Sequence, residues 1–285
     1  MSRKKHDPSR YRKTLKEQAR ENPKLAVVYV VLRALVVVAM VAQFFNGNFE
    51  NVFLCILTLF LFTLPAFIER SIRIDIPDTL EVIILLFIFA AEILGEIRAY
   101  YVQFPYWDTM LHTLNGFLCA AIGFSLLYIL NRSEKLAFTL SPVYLAVVAF
   151  CFSMTVGVLW EFFECAMDQF FLLDMQKDMV VNTISSVMLD PAGGNTPTAI
   201  RDITDVIVVT ADGAQHPLGL RGYLDIGLLD TMKDLFVNFI GAVVFSIIGY
   251  FYVKNRGKGN FARRFIPRAL FHTDSANGAG EKKAE

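Results

Sequence analysis

Residues 25–45 have the sequence LAVVYVVLRALVVVAMVAQFF, in which Arg33 is the one charged side chain. An α-helix needs about 20 apolar residues to cross the hydrocarbon core of a bilayer, which is roughly 30 Å thick. This stretch therefore predicts a transmembrane helix, and the rest of the chain can be compared with it.

Five further segments share its length and apolar character: 52–68, 80–99, 109–130, 142–168 and 231–253. Over all 285 residues, 55% are hydrophobic and 26 are Phe, whereas soluble domains contain about 45–50% apolar residues. This composition excludes a soluble enzyme, a nucleic-acid-binding protein and a disordered chain. The four cysteines lie inside apolar segments, so neither a disulfide framework nor a cysteine-rich zinc site is expected.

The basic residues predict an orientation in the membrane. Residues 1–24 carry nine Lys/Arg against three acids, and residues 254–285 carry eight against three. An even number of spans places both tails on the same side, which the positive-inside rule identifies as the cytoplasm. The short loops expected on that side add Arg70, Arg73, Arg132 and Lys135. We therefore expect a multipass plasma-membrane protein with both termini in the cytoplasm.

The long segment 169–229 is expected on the opposite side, and it is too long for a plain loop. Residues 175–189 predict a helix because their apolar residues recur at helical spacings. Residues 203–210 predict a strand, and Asp212-Gly213 is a favoured hairpin turn. The segment is therefore expected to form a small extracytoplasmic cap of a helix plus a β-hairpin.

Together these patterns predict an all-α integral membrane protein, a six-helix transmembrane bundle with a small extracytoplasmic α+β cap. The expected regions are a basic cytoplasmic tail (1–24), transmembrane helices one to five (25–168), the cap (169–229), transmembrane helix six (230–253) and a second basic cytoplasmic tail (254–285) whose end is disordered.

Polar residues inside the predicted spans form three stripes at the outer end. Residues on an α-helix are about 100° apart, so each of three trios lies on one helix face. The trios are Asp108, His112 and Asn115; Glu161, Glu164 and Asp168; and Asp230, Asp234 and Asn238. A carboxylate facing lipid costs several kcal/mol, so the stripes are expected to converge inside the bundle. Glu92 and Glu96 add two acids in the outer half of the third span.

An imidazole among carboxylates and amides suits a divalent metal ion: Mg²⁺, Mn²⁺, Ca²⁺ or a carboxylate-bound Fe or Zn. His112 and Asp234 are the first candidate ligands. Glu161 and Glu164 are the next candidate ligands. Further candidates, as ligands or as groups that orient them, are Asp108, Asp230, Asn238 and Asp178. Glu161 and Glu164 are the candidate catalytic residues, because one of them would act as general base.

Such a metal would activate a water molecule to attack an ester or phosphate group of a lipid-linked substrate. The expected partners are thus membrane lipids and this substrate, and not nucleic acid. A proton or cation transporter is the alternative, although the inner halves of the spans offer little beyond Arg33 and Glu81 to continue a path. A non-catalytic scaffold or receptor is a third hypothesis. Motifs of zinc proteases, serine hydrolases and nucleotide-binding loops are missing from the sequence.

Simpler explanations exist for some of these residues. Asp108 and Asp230 each precede an apolar run, so either could cap its helix and complement the helix dipole. Arg33 could pair with Glu81 or extend to the cytoplasmic surface.

Three motifs carry a resemblance to a known family. They are Trp107-Asp108-Thr-Met-Leu-His112-Thr-Leu-Asn-Gly116, then Leu159-Trp-Glu-Phe-Phe-Glu164 with Met167-Asp168, then Asp230-Thr-Met-Lys-Asp234-Leu with Asn238-Phe-Ile-Gly241. They resemble the YjdF-like group, bacterial multipass membrane proteins that share a domain of unknown function, and the resemblance covers about residues 80–253. It implies a bacterial plasma-membrane protein in which the Asp/His and Glu pairs belong to the family pattern, and it implies no activity. Residues 178–229 depart from shorter members. VanZ-type membrane proteins are a more distant likeness.

Overall fold

The computed structural model describes residues 22–72, 74–131 and 140–269. Predictions on the tail up to residue 21, on the loop residues Arg73, Arg132 and Lys135, and on the disordered end at 272–285 lie outside these ranges.

The described chain is mostly helical. Its helices are α1 (Pro23–Phe45), α2 (Phe49–Leu61), α3 (Leu64–Ile72), α4 (Asp78–Phe89), α5 (Tyr100–Gln103), α6 (Trp107–Asn131), α7 (Pro142–Phe171) and α8 (Leu228–Lys254). Within the described ranges, five helical segments are long and apolar enough to cross a membrane: Pro23–Phe45, Phe49–Glu69, Trp107–Asn131, Pro142–Phe171 and Leu228–Lys254. They match five of the six predicted spans.

The predicted third span differs from the others. It starts as α4 and continues as a π-helix over Ala90–Ile97, in which the Arg98 N–H donates to the carbonyl of Ile93. Ala90 keeps helical dihedral angles, so the two parts form one continuous helix. The ring of Tyr101 packs so closely on Gly95 that a Cβ there would collide with it. A wide helical turn of this kind occurs often at functional sites.

Helices α6, α7 and α8 form the centre of the molecule. A Cβ on Gly116 of α6 would collide with the carbonyl oxygen of Asn238 on α8, and a Cβ on Gly241 would collide with that of Thr113. The hydroxyl of Ser153 on α7 donates to the carbonyl of Gly116 at 2.7 Å. Small residues and interhelical hydrogen bonds are the usual means of packing helices in a bilayer, so this contact fixes the position of the polar stripes.

The end of this bundle where α8 finishes is closed by the chain that follows it. A 3₁₀ turn (Ala262–Arg264) leads into Phe265, whose ring contacts those of Phe117 and Phe245 at centroid distances of 5.1 and 6.4 Å. The next residues, Arg268–Ala269, pair antiparallel with Ile74–Asp75. The described part of the predicted tail 254–285 is therefore packed against the helices, which the sequence analysis did not anticipate.

Between α7 and α8 lies the connecting segment, residues 172–227. Besides the strands β1 (Ile74–Asp75) and β8 (Arg268–Ala269), the described strands are β2 (Val180–Val181), β3 (Ile184–Ser186), β4 (Thr198–Ile200), β5 (Ile207–Val209), β6 (Gln215–Pro217) and β7 (Tyr223–Leu224). They pair antiparallel as β2–β7, β3–β4 and β5–β6. The predicted hairpin at Asp212-Gly213 is confirmed, because β5 and β6 flank it and Gly213 has φ +84°.

The predicted helix over 175–189 is wrong. These residues form a loop, the strands β2 and β3, and a 3₁₀ turn at Val187–Leu189. The side-chain amide of Asn182 donates to the carbonyls of Ile203 and Arg221, which holds the chain extended beside its partners. Pairing with distant strands has thus overridden a local spacing that also fitted a helix.

Candidate metal centre

The candidate site surrounds His112, which is 9% exposed. It lies at the end of the bundle where α6 begins, α7 finishes and α8 begins. Its Nε2 atom is 3.3 Å from Asp108 Oδ1 and 4.0 Å from Asp234 Oδ2, and its Nδ1 atom is 3.8 Å from Glu161 Oε1. One imidazole therefore contacts carboxylates from three helices.

Two groups of side chains in the described chain have the geometry to hold a metal ion. Asp108, His112 and Asp234 form one, and His112, Glu161 and Glu164 form the other. In each group the ligand atoms lie within 4.8 Å of one another. Helical spacing explains the groups, because residues three or four apart share a helix face. The structure thus brings together five of the predicted site residues.

Each group contains a buried carboxylate oxygen without a hydrogen-bond partner among the described residues. These atoms are Asp234 Oδ1 and Glu161 Oε2, and their residues are 2% and 4% exposed. A buried charged oxygen that accepts no hydrogen bond costs considerable free energy. Such atoms are therefore consistent with a ligand that carries positive charge.

Lys233 provides positive charge at the edge of the site. Its Nζ atom is 2.7 Å from Asp230 Oδ1, 3.5 Å from Asp108 Oδ2 and 3.6 Å from Asp234 Oδ1. The ammonium group thus links carboxylates of α6 and α8. This contact was not predicted from the sequence, although the place of Lys233 one residue before Asp234 was a signal for it.

Three predicted ligands lie outside both groups. The Oδ1 of Asn238 accepts from Asn115 Nδ2 at 3.3 Å, and its Nδ2 faces Met154 Sδ at 3.6 Å. Asp230 bonds Lys233 and accepts the backbone N–H of Lys177 at 2.9 Å. Asp178 lies in the connecting segment and is largely exposed. Some loss of solvent around its carboxyl group and the carboxylates of neighbouring aspartates raise its pKa.

Residues 175–179 form a strap across this end of the bundle, which the sequence did not reveal. The two carboxylate oxygens of Asp168 accept the N–H groups of Met175 and Gln176 at 2.6 and 2.8 Å. Asp225 accepts the N–H of Met179 at 2.7 Å. With the bond from Lys177 to Asp230, these contacts attach the strap to the ends of α7 and α8. Asp168 therefore has a structural role.

The site reaches the outer surface of α7 through Trp160. Its indole N–H donates to Glu164 Oε1 at 2.8 Å, while 43% of the residue is exposed. The next residues, Phe162 and Phe163, are exposed as well. Tyr101 lies near the π-helix acids Glu92 and Glu96 and also near Asp108 and Glu164. The acids of the π-helix thus adjoin the same site.

Arg33 and Glu81 belong to a separate contact. The hydroxyl of Tyr29 donates to Glu81 Oε1 at 2.6 Å, and the Arg33 guanidinium lies over the Tyr29 ring at 5.0 Å. Tyr29 therefore connects the two residues, whereas the sequence suggested either a direct pair or extension of Arg33 to the cytoplasmic surface.

A family model described as "Predicted membrane protein (DUF2238)" matches residues 27–193, more than half of the chain. The chain belongs to this family. DUF2238 membership agrees with the YjdF-like resemblance and with the five apolar helices, and together they identify a multipass membrane protein. The matched range includes Asp108, His112, Glu161 and Glu164, but it ends before Asp234. Comparisons with curated proteins and with solved structures gave no match.

Proposed function

We propose that this protein is a bacterial plasma-membrane protein whose His112 cluster binds a divalent metal ion and hydrolyses or modifies a lipid-linked substrate. The observation that carries the proposal is the contact of one buried imidazole with carboxylates from three helices. In this proposal His112, Asp108 and Asp234 hold the metal, and Glu161 and Glu164 are the catalytic carboxylates.

The ligand spacing supports this assignment. Nitrogen and oxygen ligands about 2.1 Å from a cation lie roughly 3.0–3.4 Å apart in octahedral or tetrahedral sites. The 3.3 Å separation of His112 Nε2 from Asp108 Oδ1 falls in this range, and the 4.0 Å separation from Asp234 Oδ2 requires only a small side-chain movement. The oxygen-rich set favours a hard cation such as Mg²⁺, Mn²⁺ or Ca²⁺, with carboxylate-bound Fe or Zn as alternatives.

We propose six spans, with the third formed by Asp78–Ile97. These 20 residues form a continuous helix of roughly 30 Å, long enough to cross the hydrocarbon core. Both basic termini then lie in the cytoplasm. The site opens to the extracytoplasmic side, and the connecting segment forms the cap beside it.

The surroundings of the site favour a lipid-linked substrate. Trp160 is bonded to Glu164 and half exposed on a helix face that also presents Phe163, whose ring lies 5.3 Å from the indole. An amphipathic indole at such a position is typical of the membrane–water interface. A substrate anchored in the bilayer could therefore approach the catalytic carboxylates from the side of α7.

The packing below the site favours a one-sided site over a transport pathway. In the described part of the bundle, the residues beyond Asn238 form an apolar core that includes Phe124 and Phe245, and Phe265 packs against it from the other end. A proton or cation pathway needs polar groups through the whole thickness.

The test is elemental analysis by mass spectrometry of the detergent-purified protein, prepared without chelators. We expect a stoichiometric divalent metal in the wild type and a lower metal content in a His112→Ala/Asp234→Ala variant, because two of the three ligands of this cation are removed. The matched control is Asp212→Ala/His216→Ala, which removes the same residue types from the exposed hairpin and should retain the metal. A wild type without metal, or equal metal in all three proteins, would contradict the proposal.

A further inference from the structure

We infer that the site holds a second divalent cation, bound by Glu161 and Glu164 on the other side of His112. This inference rests on the proposed function and gives the two catalytic carboxylates a more specific role, as ligands of a cation rather than as a free general base.

The two ring nitrogens of His112 lie towards different carboxylates. Nε2 lies towards Asp108 and Asp234, whereas Nδ1 lies towards Glu161. A neutral imidazole has one nitrogen with a free lone pair and one that carries a proton. If Nε2 binds the first cation, Nδ1 carries the proton and orients Glu161, as is usual for metal-bound histidines. His112 therefore belongs to one cation, and Glu161 and Glu164 are left without it.

These two carboxylates retain free oxygens. Glu161 Oε2 is buried and lacks a hydrogen-bond partner among the described residues, and its residue is only 4% exposed. Glu164 uses Oε1 to accept from Trp160. One or two carboxylates completed by water are the usual protein ligands of Mg²⁺, and Mn²⁺ accepts the same hard oxygen ligands.

The charges at the site also favour more than one cation. Its carboxylates, all counted as ionised, are Asp108, Glu161, Glu164, Asp230 and Asp234. In the described chain they contact the ammonium of Lys233 and the imidazole of His112, which is neutral when its Nε2 binds a cation. Four negative charges thus remain in excess. One divalent cation balances two of them, and a second balances the rest. The second position adjoins Trp160, so it is the one nearer to a substrate that arrives from the lipid.

The experiment counts manganese in the detergent-purified full chain after loading with Mn²⁺ and desalting. We expect two Mn²⁺ per chain in the wild type. Glu164→Gln should retain one, Asp234→Asn should retain one, and the double variant should retain none. The control is Glu96→Gln, which removes a nearby acid of the π-helix that belongs to neither group and should leave the count at two. Glu161→Gln is the second variant if Glu164→Gln does not give a folded, monodisperse protein.

The outcomes separate the two proposals. One Mn²⁺ in both the wild type and Glu164→Gln overturns the second cation and leaves the metal centre at His112 in place. Loss of all manganese in Glu164→Gln overturns the second cation too, because the two positions would then not be independent. A wild type that binds no manganese overturns the proposed function, and the inference with it.

Discussion

At the scale of single residues, aspartates perform three different tasks within one chain. Asp108 and Asp234 contact the imidazole of His112. Asp168 and Asp225 accept backbone N–H groups and hold the strap across the bundle. Asp190 closes an exposed loop in the connecting segment. Residue type alone does not distinguish these tasks, whereas burial and the identity of the partner do.

Asp190 gives a prediction for pH dependence. Its carboxylate accepts the N–H groups of Ala192, Thr196 and Gly194, and these bonds lower its pKa. A depressed pKa stabilises the loop above the ordinary aspartate value of about 4, and this stabilisation is lost as the pH falls through the folded value. We expect amides of residues 187–200 to exchange more slowly in the wild type than in Asp190→Asn at neutral pH, and equally in strong acid.

Hydrogen exchange with mass spectrometry, comparing the two proteins at each pH, measures this difference directly. Asp202→Asn is the control, since Asp202 lies in the same segment and the described contacts of the Asp190 loop do not include it. A difference between wild type and Asp190→Asn that persists unchanged into strong acid would contradict the prediction.

The central residues of the site could be predicted from the sequence. Which of the neighbouring polar residues lie outside the site could not. Asp108, His112, Glu161 and Asp234 lie on apolar helices at spacings that place them on buried faces, and the structure brings them together. Asn238 sits on the same stripe, yet its amide is engaged by Asn115. Helical spacing gives the direction of a side chain but not which residue of a neighbouring helix it meets. The hydrogen bond between Asn115 and Asn238 could therefore be recognised only in the structure.

At the scale of elements, the crossing of α6 and α8 depends on glycine. The carbonyl oxygens of Asn238 and Thr113 occupy the space that side chains at Gly116 and Gly241 would fill. A backbone atom cannot rotate away as a side chain can. The helices must therefore separate if either glycine is enlarged, and the polar stripes would separate with them.

We expect Gly116→Ala to destabilise the protein by about 1–3 kcal/mol or more, the usual range for overpacking a tight core. Thermal unfolding in detergent measures this loss. Gly259→Ala is the matched control, because its Cβ would make only an ordinary contact of 3.4 Å with Tyr252. An unchanged melting temperature in Gly116→Ala would show that the crossing is looser than described.

Elements marked by a strong local sequence pattern, such as a long apolar run, were predicted correctly. Elements whose conformation depends on pairing with residues far away in the sequence were not. Long apolar runs identified five spans because burial in lipid and internal hydrogen bonding leave the chain little choice. The hairpin was recognisable from Asp212-Gly213. Residues 175–189 had no such signal, since their conformation is set by pairing with residues 198–200 and 223–224. The π-helix likewise had no such signal, and the close packing of Tyr101 on Gly95 within it is seen only in the structure.

At the scale of the whole molecule, the proposed topology can be tested with single cysteines in a cysteine-free background. Thr196 lies in the connecting segment and Lys258 follows α8, and both are exposed. On intact cells, a membrane-impermeant maleimide should label Thr196→Cys, whereas Lys258→Cys should react only after permeabilisation. The reverse pattern would overturn the orientation.

Lys4→Cys decides the number of spans in the same assay. If Asp78–Ile97 crosses the membrane, the spans are even in number and Lys4→Cys behaves like Lys258→Cys. If this helix does not cross, Lys4→Cys should instead behave like Thr196→Cys. The prediction is the first pattern, because both tails are basic.

The return of the chain after α8 affects the order in which the protein can be completed during synthesis. Phe265 and Ile266 complete the apolar core, and Ile74–Asp75 finds its strand partner only at Arg268–Ala269. Residues 265–269 follow α8 in the chain, so they are made only after every described apolar helix has been synthesised. Until then the end of the bundle where α8 finishes lacks the cover that Phe265 gives to Phe117 and Phe245. Closure of this end of the bundle therefore follows synthesis of the last described helix, and a chain that stops before Phe265 lacks this closure even with every described helix complete.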